Sequence, residues 1–188
     1  GLHFIEEILS KIEKAGIRKS TLTLHVGAGT FIPVKEKDAL KHEMHTEHFM
    51  FQKSSIEEIL NAGNSLISVG TTSVRAMETL YWLGVKMGID HSLNSSAYLD
   101  QWEAYHYKTN LTREQSLENI IEYMEREKIV QLEASTKIMI LPGYKFKMTD
   151  GLITNFHQPC STLLLLVAAF IGNEWKKVYT NALENDYR

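Results

Sequence analysis

Two spacings of apolar residues alternate along the 188-residue chain. In residues 3–15 (HFIEEILSKIEKA), Phe4, Ile8 and Ile12 recur at helical spacing, and Gly16 follows as a stop. Residues 21–26 (TLTLHV) alternate with a period near two, a strand signature that runs into Gly27-Ala28-Gly29. A polar stretch, 35–48, leads to a second strand over 47–51. A helix is predicted at 54–62 and a short strand at 66–69, ending at Gly70. The next helix runs from Thr72 to Leu83, with Val74, Met77, Leu80 and Tyr81 on one side. Between Gly88 and Leu111 the pattern weakens. Residues 112–129 then read as a charged helix with Thr112 as its N-cap. Lys137–Leu141 reads as a strand closed by Pro142-Gly143, and 152–154 as another. Helices at 161–171 and 174–185 follow.

Strands alternating with helices predict an α/β fold, a mainly parallel sheet flanked by helices. In such sheets ligands bind beyond the carboxyl ends of the strands. Three predicted strands end in unusual polar loops: HVGAGTF (25–31), GTTSVR (70–75) and TNFHQPCST (154–162). A parallel sheet would bring all three to one edge.

Composition narrows the classes. The 44 % hydrophobic and 23 % charged residues suit one soluble globular domain with a real core. The greasy run 163–171 is far shorter than the roughly 20 residues of a membrane span, and is read as a buried helix. A single cysteine excludes an internal disulfide and fits a reducing, cytoplasmic setting. No signal peptide is read at the start, which lacks Met and opens in mid-pattern, so a fragment is expected. With 20 basic and 23 acidic residues, the formal charge of −3 gives no sign of a broad polyphosphate-binding surface, so a nucleic-acid role would have to use a local patch or a region outside this chain.

Each polar stretch carries a chemical and a plain reading. Gly27-Ala28-Gly29-Thr30 lets backbone N–H groups approach a ligand, but a tight turn uses the same glycines, and the dinucleotide fingerprint fails at Phe31-Ile32. The loop 70–73 can hold an anion at a helix N-terminus or simply cap that helix. Arg75 sits in the first turn, where the helix dipole disfavours a cation, so an anionic ligand or a neighbouring Asp or Glu is expected beside it. His42-Glu43-Met44-His45-Thr46-Glu47-His48 has a metal-like composition without the HExxH spacing, and His45 with Glu47 suits hydrogen bonding or proton transfer better. Cys160 precedes a helix N-terminus that favours a thiolate, yet lone cysteines are mostly small fillers. Asn155 and His157 lie just past a strand end, where a turn alone rarely needs both. Asp150-Gly151 reads first as a turn.

Taken in chain order, these stretches resemble one family. GLHFxEE (1–7), TLHVGAGTF (23–31), HxMHxE (42–47), VGTTSVRAMET (69–79), ILPGYKF (140–146) and DGLITNFHxPxSTLLLLVAAFxG (150–172) are similar to the S-adenosylmethionine:tRNA ribosyltransferase-isomerases of queuosine biosynthesis. Only 84–136 matches poorly. The resemblance implies transfer and isomerisation of the ribosyl unit of S-adenosylmethionine onto 7-aminomethyl-7-deazaguanine in the wobble position of tRNA. Epoxyqueuosine forms, and adenine and methionine leave. It also implies an α/β domain with an inserted β-barrel, residues 1–188 being the C-terminal part of the α/β domain without the barrel. No metal is implied; S-adenosylmethionine is the ribosyl donor, tRNA the partner, and a cytoplasmic monomer the expected state.

Against that chemistry, His45, Glu47 and His157 are the expected catalytic groups. His25, Gly27, Gly29, Thr30, Gly70, Thr71, Thr72, Ser73, Arg75 and Asn155 are the expected contacts to S-adenosylmethionine. The chain departs from the family twice. Ile32 stands where relatives carry Arg, and Gln158-Pro159-Cys160 where they carry Leu-Pro-Lys. The alternative is therefore a divergent paralogue that binds S-adenosylmethionine or a related nucleoside without transferring it to tRNA.

Overall fold

The structure, a computed structural model, describes residues 4–25, 39–63, 65–89 and 97–187. Four strands form the larger sheet in the order β1 (Thr23–His25), β2 (Glu47–Gln52), β5 (Gln131–Thr136), β4 (Ala97–Leu99). A second sheet pairs β3 (Ile67–Val69) with β6 (Gly151–Ile153). The helices are α1 (Glu6–Lys14), α2 (Lys53–Leu60), α3 (Thr71–Ile89), α4 (Glu103–His106), α5 (Arg113–Arg126), α6 (Thr162–Ile171) and α7 (Trp175–Glu184). The fold is α/β, as the alternating periodicities predict. The mainly parallel sheet is corrected: β1–β2 and β2–β5 pair antiparallel, and only β4–β5 and β3–β6 are parallel. Alternation predicts parallel pairing only when successive strands join one sheet. Here β3 leaves to pair with β6, while β2 pairs with the distant β5.

Strand alternation builds the core face of the larger sheet. Glu47, Phe49 and Phe51 of β2 point inward, with Leu132, Ala134 and Thr136 opposite them on β5. Helix α3 packs against this sheet on one side and against α5 on another, so it is apolar nearly all round. The α3–α5 crossing is close enough that a Cβ at Gly84 would collide with the main chain of Ser116. Hydrogen bonds replace the missing side chain: Ser116 Oγ donates to Tyr81 O (2.6 Å), and Asn119 Nδ2 donates to Gly84 O (3.0 Å). Thr112 caps α5 as expected, in a reciprocal box with Gln115. By contrast, the amphipathic α1 buries none of its residues.

The predicted strand at 137–141 is not one. Ile138, Met139 and Ile140 are buried, but their segment has no ladder. Lys137 N and Met139 N donate to Leu99 O and Gln101 O, Ile138 N to Thr136 Oγ1, and Leu141 N to Tyr105 Oη. Apolar burial alone does not distinguish a strand from an extended buried segment. No helix among the described residues is long and apolar enough to cross a membrane.

Candidate active site

Two of the three polar loops meet. Parallel pairing of β3 and β6 brings the loop after Val69 beside the loop after Ile153, and Gly70 N donates to Ile153 O at 2.8 Å. Gly70 has φ 94°, left-handed backbone that a Cβ disfavours, and this turns the chain from β3 directly into α3. Side-chain capping, the plain reading of this loop, is absent: the hydroxyls of Thr71, Thr72 and Ser73 form no hydrogen bond with the described residues. Among the described residues, the N–H groups of Thr71, Thr72 and Ser73 have no side-chain or loop acceptor, and they lie at the carboxyl end of two parallel strands. Such a terminus attracts a carboxylate or another anion.

One turn further along α3, Arg75 turns inward. Its Nη1 lies 2.8 Å from Glu47 Oε1, both side chains 3 % exposed, and its Nε donates to Ile138 O at 3.1 Å. Burial pulls the guanidinium pKa down and the facing Glu47 opposes that pull; a guanidinium keeps its proton throughout. The alternation of β2 explains the carboxylate, because Glu47 takes the core face shared with Phe49 and Phe51. The same Glu47 Oε1 lies 3.1 Å from His45 Nε2. Gln101 holds the backbone leading to His45, accepting from Met44 N (2.9 Å) and donating to His42 O (2.7 Å). Among the described residues, three buried atoms in this region have no hydrogen-bond partner: Glu47 Oε2, Arg75 Nη2 and Thr79 Oγ1. Buried polar atoms are nearly always paired, so three orphans along α3 and β2 set this region apart from the satisfied core around it.

The loop after β6 is anchored at both ends. Thr154 Oγ1 and His157 Nε2 share a hydrogen bond of 2.9 Å, and His157 N donates to Tyr179 Oη of α7 at 3.0 Å. Burial holds the His157 pKa below the ordinary histidine value, which favours a neutral imidazole able to accept a proton. Ser161 caps α6 by accepting from Leu164 N at 3.1 Å. Cys160 is exposed with φ 57°. Asn155 is exposed and free of side-chain bonds to described residues, available to a ligand.

Residues 1–188 match the family profile described as queuosine biosynthesis protein. The chain belongs to this family. It is 38 % identical over its whole length to the S-adenosylmethionine:tRNA ribosyltransferase-isomerase of Polynucleobacter asymbioticus, covering 42 % of that protein. The corresponding protein of a Thermoanaerobacter species is 37 % identical, again over the whole chain and 44 % of the relative. A solved S-adenosylmethionine tRNA ribosyltransferase from Thermotoga maritima superposes with a TM-score of 0.60 at 26 % identity, covering all of this chain and 47 % of that one. The chain thus spans less than half the length of these relatives.

Within this family member, the expected site residues that the structure describes fall into three groups. His45, Glu47 and Arg75 form one contiguous cluster. Gly70, Thr71, Thr72, Ser73, Asn155 and His157 surround the β3–β6 carboxyl ends. His25 pairs across from His48 on the exposed face of β2, opposite to the face that carries Glu47. Gly27, Gly29 and Thr30, with Ile32, lie outside the described residues. The cation at Arg75 meets the neighbouring carboxylate, the second of its two expected partners. Among the described residues, no three His, Cys, Asp or Glu side chains form a metal-holding group.

Sequence reasoning passed over Gln101 and Glu78. Glu78 Oε1 accepts from Met148 N and Thr149 N, and Oε2 accepts from Lys147 N and Tyr144 Oη, at 2.9–3.1 Å. Trp82 Nε1 donates in turn to Tyr144 Oη at 2.7 Å. This carboxylate fixes the backbone entering β6, and therefore the origin of the His157 loop. An acid at the core-facing position of an apolar helix was the available signal.

Proposed function

We propose that this chain supplies part of the active site of an S-adenosylmethionine:tRNA ribosyltransferase-isomerase, as the C-terminal part of its α/β domain. The carrying observation is the buried Glu47–Arg75 pair with the half-buried His45 on the same carboxylate oxygen, together with its unpartnered polar atoms, one turn from a helix N-terminus that no described side chain caps. The names of the similar proteins support the same reading.

The substrates are S-adenosylmethionine and tRNA carrying 7-aminomethyl-7-deazaguanine. The sulfonium makes the ribose C5′ protons acidic, and a base beside that carbon generates an ylide. Later steps remove protons from the deazaguanine amine and return one to adenine as it leaves. His45, held by Glu47, and His157, kept neutral by burial, are the proton-transferring groups. The free N–H groups at the start of α3 hold the methionine carboxylate or the ribose, and Asn155 contacts the same ligand. Arg75 acts through Glu47, since its inward turn removes it from the ligand surface. The products are epoxyqueuosine-containing tRNA, adenine and methionine. The protein works as a cytoplasmic monomer without a metal.

The test is adenine release from S-adenosylmethionine in the presence of precursor tRNA, using a polypeptide of the relatives' full length that contains this chain. Release is expected, with turnover falling at least tenfold in His45→Ala and in His157→Ala. Unchanged rates in both variants would return these histidines to a structural role. The second reading, a paralogue that binds the nucleoside without transfer, is favoured by Gln158-Pro159-Cys160 in place of the family's cation-bearing Leu-Pro-Lys. Calorimetric binding of S-adenosylmethionine with no adenine released would establish it.

A further inference from the structure

Helix α7 reaches across the chain to the loop that carries His157. We propose that Tyr179 is a positioning residue of the active site, setting the His157 imidazole by holding the backbone beneath it. This inference rests on the role given to His157 above and adds a residue that no motif singled out.

Three observations carry it. His157 N donates to Tyr179 Oη at 3.0 Å, across 22 residues of sequence. No backbone–backbone hydrogen bond outside helices and strands is formed among the described residues at positions 154–160; side chains hold this main chain instead, Ser161 Oγ locally at Gln158 O (2.7 Å) and Tyr179 at His157 N from a separate helix. The tyrosine ring is itself fixed on two sides: Phe156 packs edge-on at 5.2 Å and 89°, and Trp175 at 6.0 Å and 76°. Aromatic pairs of this geometry orient one another as well as bury area.

The resulting arrangement is a two-point clamp. Thr154 Oγ1 holds the ring at Nε2 (2.9 Å), while Tyr179 holds the main chain of the same residue. With only the ring contact, a loop lacking its own ladder leaves the imidazole free to pivot about the Thr154 bond. Misplacement by about 1 Å is enough to cost on the order of a hundredfold in rate at a reacting centre. Phe156, between the two anchors, turns its ring to α7, which leaves Asn155 and the His157 ring on the part of the loop continuous with the β6 end.

The test is Tyr179→Phe, which keeps both ring packings and deletes only the acceptor. In the isotope-labelled chain, the His157 amide is expected to exchange at least tenfold faster in the variant. The His157 imidazole resonance should move while that of His45 stays in place, and the circular dichroism spectrum should not change. In the full-length polypeptide, kcat for adenine release is expected to fall about tenfold, with KM for S-adenosylmethionine within twofold of wild type. A variant that leaves the His157 resonance and kcat unaltered overturns the proposal. So does a wild-type His157 amide that exchanges as fast as an unprotected loop amide, a measurement that decides the matter even if the variant fails to fold. If the wild-type protein releases no adenine, the functional reading fails, and the exchange and resonance data alone decide the role of Tyr179.

Discussion

Glu47 and Glu78 are both carboxylates withdrawn from water on elements that line the core, β2 and α3, yet their surroundings are opposites. Glu78 receives four hydrogen bonds, three from consecutive backbone N–H groups and one from a tyrosine that is itself supported by Trp82. Burial raises its pKa, and those four donors pull it back toward the ionised form. Glu47 spends one oxygen on both Arg75 and His45 and leaves the other unpartnered, as are one Arg75 nitrogen and the Thr79 hydroxyl. A satisfied buried charge is a structural device that pins a loop. An unsatisfied one tolerates a standing cost, and such groups concentrate where chemistry or binding requires them.

The contrast can be broken by substitution. Glu78→Ala is expected to be the most damaging, because it strands three backbone N–H groups and a phenol in the interior. Stranded donors cost roughly 1–3 kcal/mol each, so a loss of about 4 kcal/mol or more in a denaturant titration is expected. A loss under about 1 kcal/mol would mean that the 147–149 backbone finds other acceptors. Next comes Arg75→Met, which leaves Glu47 buried and uncompensated at a cost of about 3 kcal/mol. The double variant Arg75→Met/Glu47→Gln should recover at least half of that stability while remaining inactive in adenine release. If the double variant is as unstable as the single one, the pair is structural and resembles Glu78 after all.

A smaller effect concerns pH. Burial lowers the His157 pKa in the folded chain, so the unfolded chain takes up the proton first as the solution is acidified. This contribution to stability is complete above the unfolded value of about 6.5 and is lost as pH falls from there through the folded value. His157→Gln should therefore flatten the fall in melting temperature between pH 7 and pH 5. An identical slope in variant and wild type would place the titration elsewhere. The smallest expected effect is that of Thr79→Val. Replacing an orphaned buried hydroxyl by a methyl group of the same shape should be neutral, or stabilising by up to about 1 kcal/mol. A clear loss of stability would reveal a partner for that hydroxyl, such as an ordered water, and would bring the two carboxylate regions closer in kind.

Much of this was legible in the residues themselves. Periodicity located α1, α2, α5, α6 and α7 to within a few residues and the start of α3 to within one, because each carries an apolar stripe or an all-apolar run that suits a buried helix; α3 continues six residues past its expected end at Leu83, to Ile89. Thr112 signalled its cap, and Gly70 the end of its strand. Strand β5 escaped notice because its inward positions, Leu132, Ala134 and Thr136, include only one large apolar residue. Strand β4 is three residues long and lay in a segment with no period at all. The apolar 138–140 segment was read as a strand because the sequence reveals burial more readily than it reveals where backbone hydrogen bonds go.

The site divides in the same way. The sequence alone determined the family, the α/β class and the polar loops, since these rest on local residue type and spacing. It also placed His45 and Glu47 two residues apart, within reach of one another on an extended chain. Only the tertiary structure decided that Arg75 faces Glu47, that β3 and β6 bring the 70–73 and 154–157 loops together, and that Tyr179 reaches His157. Each of those contacts joins residues distant in sequence. Local propensity cannot encode such a pairing; it follows from the strand register and helix crossings that fit one common core.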